Sequence, residues 1–105
     1  MSEAITAYEK IFGLTKKSAF ARTNLLTERE VDVFVEMGRG AKNAKIAEKL
    51  NISSKTLDIH RANVLRKLST KSITELAKVF WFVTLVSKAT GESPYLSADE
   101  RKAQE

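Results

Sequence analysis

Cysteine is absent from the chain, and histidine, tryptophan and proline each occur once. Without thiols there can be no disulfide and no thiolate metal site, and a reducing compartment suits the composition. The lone His60 excludes a histidine metal cluster or a histidine pair for catalysis. One proline and four glycines are few breakers for 105 residues, which favours helices over a turn-rich β fold. No apolar run reaches the ~20 residues of a membrane span, the strongest being "VFWFVTLV". The opening "MSEAITAYEK" lacks the basic start and apolar core of a secretory signal, so the expected location is the cytoplasm. An activated nucleophile, paired acids and a phosphate-cradling glycine loop are also lacking, so neither an enzyme nor a cofactor is expected.

What is abundant is positive charge. Eighteen basic residues against thirteen acidic ones give +5, with an isoelectric point near 9.6. Such a balance suits polyanionic partners, nucleic acid before an anionic membrane. The charge is unevenly placed. Residues 53–71 hold Lys55, Arg61, Arg66, Lys67 and Lys71 against Asp58 alone, whereas "EREVDVFVE" is strongly acidic. The length permits one compact domain with modest extensions.

Periodicity and caps predict an all-α chain. Residues 3–12 align Ala4, Ile5, Tyr8, Ile11 and Phe12 on one stripe, ended by Gly13. The polar "TKKSAFARTN" reads either as a linker or as a weak helix. Thr27 and Glu30 then form a T-x-x-E capping box, with Leu26 and Val31 at hydrophobic-staple spacing. That helix reaches about Met37, with Gly38 and Gly40 ending it. A short helix over 43–50 turns Ile46, Ala47 and Leu50 inward, with Asn51 as a left-handed cap. Ser53 caps the next helix, 54–68, and Ser72 with Glu75 opens a last one reaching Thr90. Two short helices joined by "NIS" have helix-turn-helix spacing.

The helix over 54–68 carries the chemistry. At roughly 100° per residue, Leu57, Val64, Leu65 and Leu68 share one side. Lys55, Asp58, Ile59, Ala62, Asn63 and Arg66 lie on or beside the opposite one, flanked by His60 and Lys67. A small, mixed, cation-rimmed face suits a major groove. Ala62 permits close approach and Ile59 can touch a thymine methyl. Asp58 can accept from cytosine N4, and Lys55 can donate to guanine. Thr56, His60, Asn63 and Lys67 suit phosphates. The competing reading is an ordinary solvated face, on which a lone exposed isoleucine needs no explanation.

From Leu26 to about Phe80 the chain resembles the LuxR/FixJ-type (GerE-like) helix-turn-helix domain, carried by "LTERE", "IAEKL", "SSKTLDIHRANVLRKL" and the "KS" before the last helix. The resemblance implies a four-helix DNA-binding domain, here with an extra N-terminal helix and an extended C-terminal helix, acting on double-stranded DNA as a homodimer. It implies base reading by Asp58, Ile59 and Ala62, to which the wheel adds Lys55. It implies backbone contacts at or near Asn43, Ser53, Lys55, Thr56, His60, Asn63 and Lys67, to which Arg66 is added as a phosphate contact. Departures are Glu28 where proline is frequent, Lys45 for a common glutamate, and Ala41-Lys42 for a hydrophobic-Ser/Thr pair. The expected layout is an N-terminal helix and linker (1–25), the helix-turn-helix domain (26–90) and a polar, mobile tail (91–105). Twenty-five upstream residues hold neither a receiver nor a ligand-binding domain, so the chain reads as a stand-alone regulator or a part of a larger one.

In the last helix Ile73, Leu76, Val79, Phe80, Val83 and Val86 form a broad core arc, while Trp81 and Leu85 point away beside Thr74, Ala77 and Lys78. Either the N-terminal helix folds back over Trp81 and Leu85, or these five residues contribute to a two-fold dimer seam, and both hold together if that helix packs near Phe82 to Val86. The leading expectation is a homodimeric transcriptional regulator. RNA polymerase is a further candidate partner, and no membrane or small-molecule ligand is expected. The rival is an antagonist that pairs with larger regulators of the same type through the last helix.

Overall fold

The computed structural model describes residues 2–103, which form α1 (Ser2–Phe12), α2 (Lys16–Thr23), α3 (Glu28–Gly38), α4 (Asn43–Leu50), α5 (Ser54–Lys67), α6 (Ile73–Thr90) and α7 (Ala98–Ala103). Among the described residues there is no strand. Local signals set most boundaries. The Thr27–Glu30 capping box is reciprocal: the Glu30 N–H donates to the Thr27 hydroxyl and the Thr27 N–H to the Glu30 carboxylate. Ser53 caps α5 by accepting the Thr56 N–H. Asn51 and Ser69 take left-handed φ values of 54° and 55° at the ends of α4 and α5. At Ser72 only half of the expected box forms, because the Glu75 carboxylate takes the Lys71 N–H instead.

α3, α5 and α6 surround the core, with α4 laid against α3 and α5. Val33, Phe34, Met37, Ile46, Leu57, Val64, Leu68, Leu76, Phe82, Val83 and Val86 are sealed from solvent. Phe34 meets Phe80 edge-on at 5.6 Å, a packing that needs Gly38. A β-carbon there would fall 2.2 Å from the Phe80 ring. Gly38 therefore serves close approach of α3 to α6, and the left-handed stop is Gly40, at φ 84°.

Several expectations are corrected. Of the two readings of "TKKSAFARTN", the linker is set aside and the helix forms, as α2, capped by Thr15, with Ala19 and Thr23 buried one turn apart. Ile73 belongs to no core arc; it is 45% exposed, because the first residue of α6 overhangs the end of the core. Ile11 is 76% exposed and Ala4 is exposed too, since α1 packs chiefly along one neighbour, α6, and its apolar band is wider than that contact. The expected polar tail folds back. Pro94 is buried and its carbonyl takes the Thr23 hydroxyl at 2.7 Å. Tyr95 packs edge-on to Phe34 at 6.4 Å, and burial pushes its phenol up to about 12. Arg101 of α7 donates to the Leu26 carbonyl. The missed signal was "SADE": Ser97 and Glu100 form a further reciprocal capping box.

Candidate nucleic-acid interface

The α4–turn–α5 unit is built around Ile46 and Leu57. Both are buried, with Ile52 half-buried in the turn between their helices. Leu57, Val64 and Leu68 lock one side of α5 into the core at 0% exposure, and Leu65 packs beside them. That anchorage decides what faces outward. Lys55, Asp58, Ile59, Ala62 and Arg66 are all exposed, Ile59 at 56%. Thr56, His60, Asn63 and Lys67 lie half-buried along the flanks. The side chains named as base readers thus share one open surface.

The phosphate candidates divide by what already engages them. Ser53 and Thr56 bond to each other through their hydroxyls at 3.0 Å, at the amino end of α5. Asn43, at the start of α4, accepts from the Arg61 guanidinium at 2.8 Å, tying α4 to α5. Arg66 donates to the Asn63 side-chain oxygen at 3.3 Å. Lys67 differs from the rest. Its ammonium lies 2.6 Å from the Glu30 carboxylate, and that carboxylate is only 6% exposed. Lys67 is therefore a structural anchor joining α5 to the start of α3. Arg61 and Glu30 were not singled out as site residues, because both pairings depend on how helices cross and leave no mark in local spacing.

Among the described residues, Glu30 is a perturbed carboxylate in direct contact with α5, through Lys67. Burial works against its ionisation. The Lys67 ammonium and the Thr27 backbone and side chain outweigh that, holding it below the ordinary 4.5. Among the described residues Lys42 and Lys45 at α4 and Lys55 and Arg66 on α5 have no carboxylate partner, and Asp58 on α5 has no cationic one, which leaves these exposed groups with a net positive charge. Lys42 also supplies no side-chain cap to α4. Among the described residues no cluster of histidines or carboxylates could hold a metal ion, and no helix is long and apolar enough to cross a membrane.

On the far side, α1 covers one flank of α6, with Phe12 edge-on to Phe82 at 5.6 Å. The Lys78 ammonium lies beside Gly13, at the carboxyl end of α1. Trp81 is left 48% exposed, its ring against Phe80 at 5.2 Å. Thr74 and Lys78 are exposed, while Ala77 and Leu85 are half-buried. The N-terminal helix thus leaves Trp81 uncovered and packs instead at Phe82, where the combined reading put it.

Residues 24–80 match the family described as bacterial regulatory proteins, luxR family. Among similar proteins, the nitrate/nitrite response regulator protein NarP of Escherichia coli is 49% identical over 49 residues, 47% of this chain and 23% of that protein. The transcriptional regulatory protein FixJ of Rhizobium meliloti is 41% identical over 59 residues, 56% of this chain and 29% of that protein. The transcriptional regulatory protein LnrK of Bacillus subtilis is 44% identical over 52 residues, 50% of this chain and 24% of its own length. The chain thus spans about a quarter of each of these relatives. No solved structure matches it.

Proposed function

Because the chain belongs to the luxR family of bacterial regulatory proteins, a family of DNA-binding transcription regulation, we propose that it is a cytoplasmic regulator that sets α5 into the major groove of a specific duplex site, acting as a homodimer. The supporting observation is the open face of α5, where an isoleucine and an alanine lie exposed among cations. Ala62 lets the helix backbone come near the base edges, and Ile59 meets a thymine methyl. Asp58 accepts from a cytosine amine, and Lys55 donates to guanine. Ser53, Thr56, His60, Asn63 and Arg66, with Asn43 on α4, sit where phosphates flank the groove and set register. The unpaired lysines supply the sequence-independent part of the affinity.

Selection of bound sites from random duplexes, followed by anisotropy titration over a range of salt, tests the reading. The expected result is a two-fold symmetric consensus, with affinity falling steeply as salt rises. Failure to enrich any sequence, with no binding even at low salt, would reject it.

A second reading rests on Trp81. An indole this exposed, on the helix that also leaves Ile73 exposed, fits a module that pairs with larger regulators of its own kind and withholds them from DNA. Light scattering beside the gel shift separates the two readings. Stable heterodimers without any shifted duplex favour the antagonist, whereas a shifted homodimer favours the regulator.

A further inference from the structure

The last turn of α5 shows how the groove-facing helix is held. The Ser69 N–H donates to the Arg66 carbonyl at 3.1 Å and the Thr70 N–H to the Leu65 carbonyl at 2.9 Å, with Ser69 in the left-handed conformation. This closure serves two of the carbonyls that every helix leaves without a partner at its end. The Leu68 carbonyl is not served by it. Its partner comes from outside the family-matched residues: the Arg22 guanidinium, on the last turn of α2, donates to it at 3.3 Å. A cation there also meets the negative end of the α5 dipole, and a charge-assisted bond outranks a neutral one.

Arg22 is itself held from behind. Its neighbour Thr23 is fully buried and donates its hydroxyl to the Pro94 carbonyl at 2.7 Å. Ala19, one turn earlier, is in the core. On the same side Arg101 of α7 donates to the Leu26 carbonyl, just before α3. The two segments flanking the matched domain, α2 in front and the tail behind, thus meet through Thr23 and Pro94, and α2 alone reaches the carboxyl terminus of α5, through Arg22.

Leverage gives this contact its consequence. Asp58 lies ten residues from Leu68, or roughly 15 Å along the helix axis. Leu57 and Val64 hold α5 in the core along its length, so Arg22 acts on the fine attitude of the helix. A tilt of about 5° pivoting at Leu68 carries Asp58 more than ~1 Å, whereas hydrogen bonds to base edges tolerate only about 0.5 Å. The Lys67–Glu30 pair restrains the same end of α5 from within the matched domain. Arg22 restrains it from the flanking segments.

We propose that Arg22 is a positioning residue for DNA recognition, through which α2 and the folded-back tail fix the attitude of α5. This rests on the reading that α5 enters the groove. The test uses the full chain, with Arg22→Gln and Arg22→Lys variants, the selected duplex and a scrambled duplex. Arg22→Gln is expected to weaken binding to the selected duplex about three- to tenfold and to leave the scrambled duplex unaffected, so that the specificity ratio falls. The slope of log affinity against log salt should not change, because a positioning residue touches no phosphate; losing a phosphate contact would lower it by about one. Arg22→Lys, which keeps a cationic donor, should recover part of the ratio. Amide exchange without DNA gives an independent readout: the Leu68, Ser69 and Thr70 amides should exchange severalfold faster in Arg22→Gln, while those of α3 hold. An unchanged specificity ratio in Arg22→Gln, or a salt slope lowered by about one, would overturn the proposal. If the unaltered chain binds no duplex at all, the underlying reading fails instead.

Discussion

Ile59 keeps 56% of its surface in water on a helix whose other side is sealed, and Asp58 next to it is exposed among cations. Neither side chain supports the fold, so substituting either should change unfolding free energy by no more than ~0.5 kcal/mol. On the proposed function, Asp58→Ala and Ile59→Ala should each shift base preference by ~1–3 kcal/mol at the contacted pair. Competition titration against single-base variants of the selected duplex measures this, and unchanged preference in both variants rejects the base-reading assignment. Gly38 is the opposite kind of residue, buried and critical in packing. Alanine there gains about 1 kcal/mol of helix propensity. Its methyl, however, must displace the Phe80 ring, and such overpacking costs ~1–3 kcal/mol. Gly38→Ala should therefore lower the thermal midpoint, by roughly 4–8 °C for each kcal/mol of net loss. A raised midpoint in thermal circular dichroism would show that the ring moves aside freely.

At the scale of elements, the carboxyl end of α5 is held by its own turn closure, by Lys67 on Glu30 and by Arg22 on Leu68. The Glu30 link titrates. Its carboxyl is held below the ordinary 4.5 in the fold, so its contribution to stability is present above the unfolded value. That contribution is lost as pH falls through the lower folded value. Urea unfolding followed from neutral pH down past this range should therefore show stability declining on the acid side. Glu30→Gln should be less stable than the unaltered chain at neutral pH, because Lys67 loses its counter-charge. The gap should narrow as the medium becomes acid. Parallel acid limbs in the two proteins would mean that other carboxylates set the decline. The same geometry explains why Lys67 is a poor probe of phosphate contact: removing it disturbs α5 and the start of α3 together.

Across the whole molecule, the large apolar side chains left exposed among the described residues are Ile11, Leu25, Ile59, Ile73 and Trp81, with Ile59 on the cationic α5 face and Ile73 and Trp81 on α6. α1 takes the neighbouring flank of α6 through Phe12 and Phe82, and so leaves the indole available. On the homodimer reading, Trp81→Ala should shift sedimentation towards monomer and weaken the full two-fold site far more than an isolated half-site. Equal weakening on both would place Trp81 outside the dimer seam. A dimer that persists unchanged would do the same.

Helix positions, caps and the inward side of α5 were legible in the residue order, because they are short-range matters. A Thr-x-x-Glu box closes within one turn, and Leu57, Val64 and Leu68 recur at the helical period whatever lies nearby. The outward placement of Ile59 followed from the same arithmetic. The family resemblance was legible for a related reason, since its motifs are runs of adjacent residues. Tertiary structure alone decided that Pro94 and Tyr95 would fold onto Thr23 and Phe34, that Lys67 would serve Glu30, and that Arg22 would end on Leu68. Those partners lie between 37 and 71 residues apart in three of these hydrogen-bonded pairings. Only the crossing of helices in space, set by side-chain packing, brings such distant groups within bonding distance.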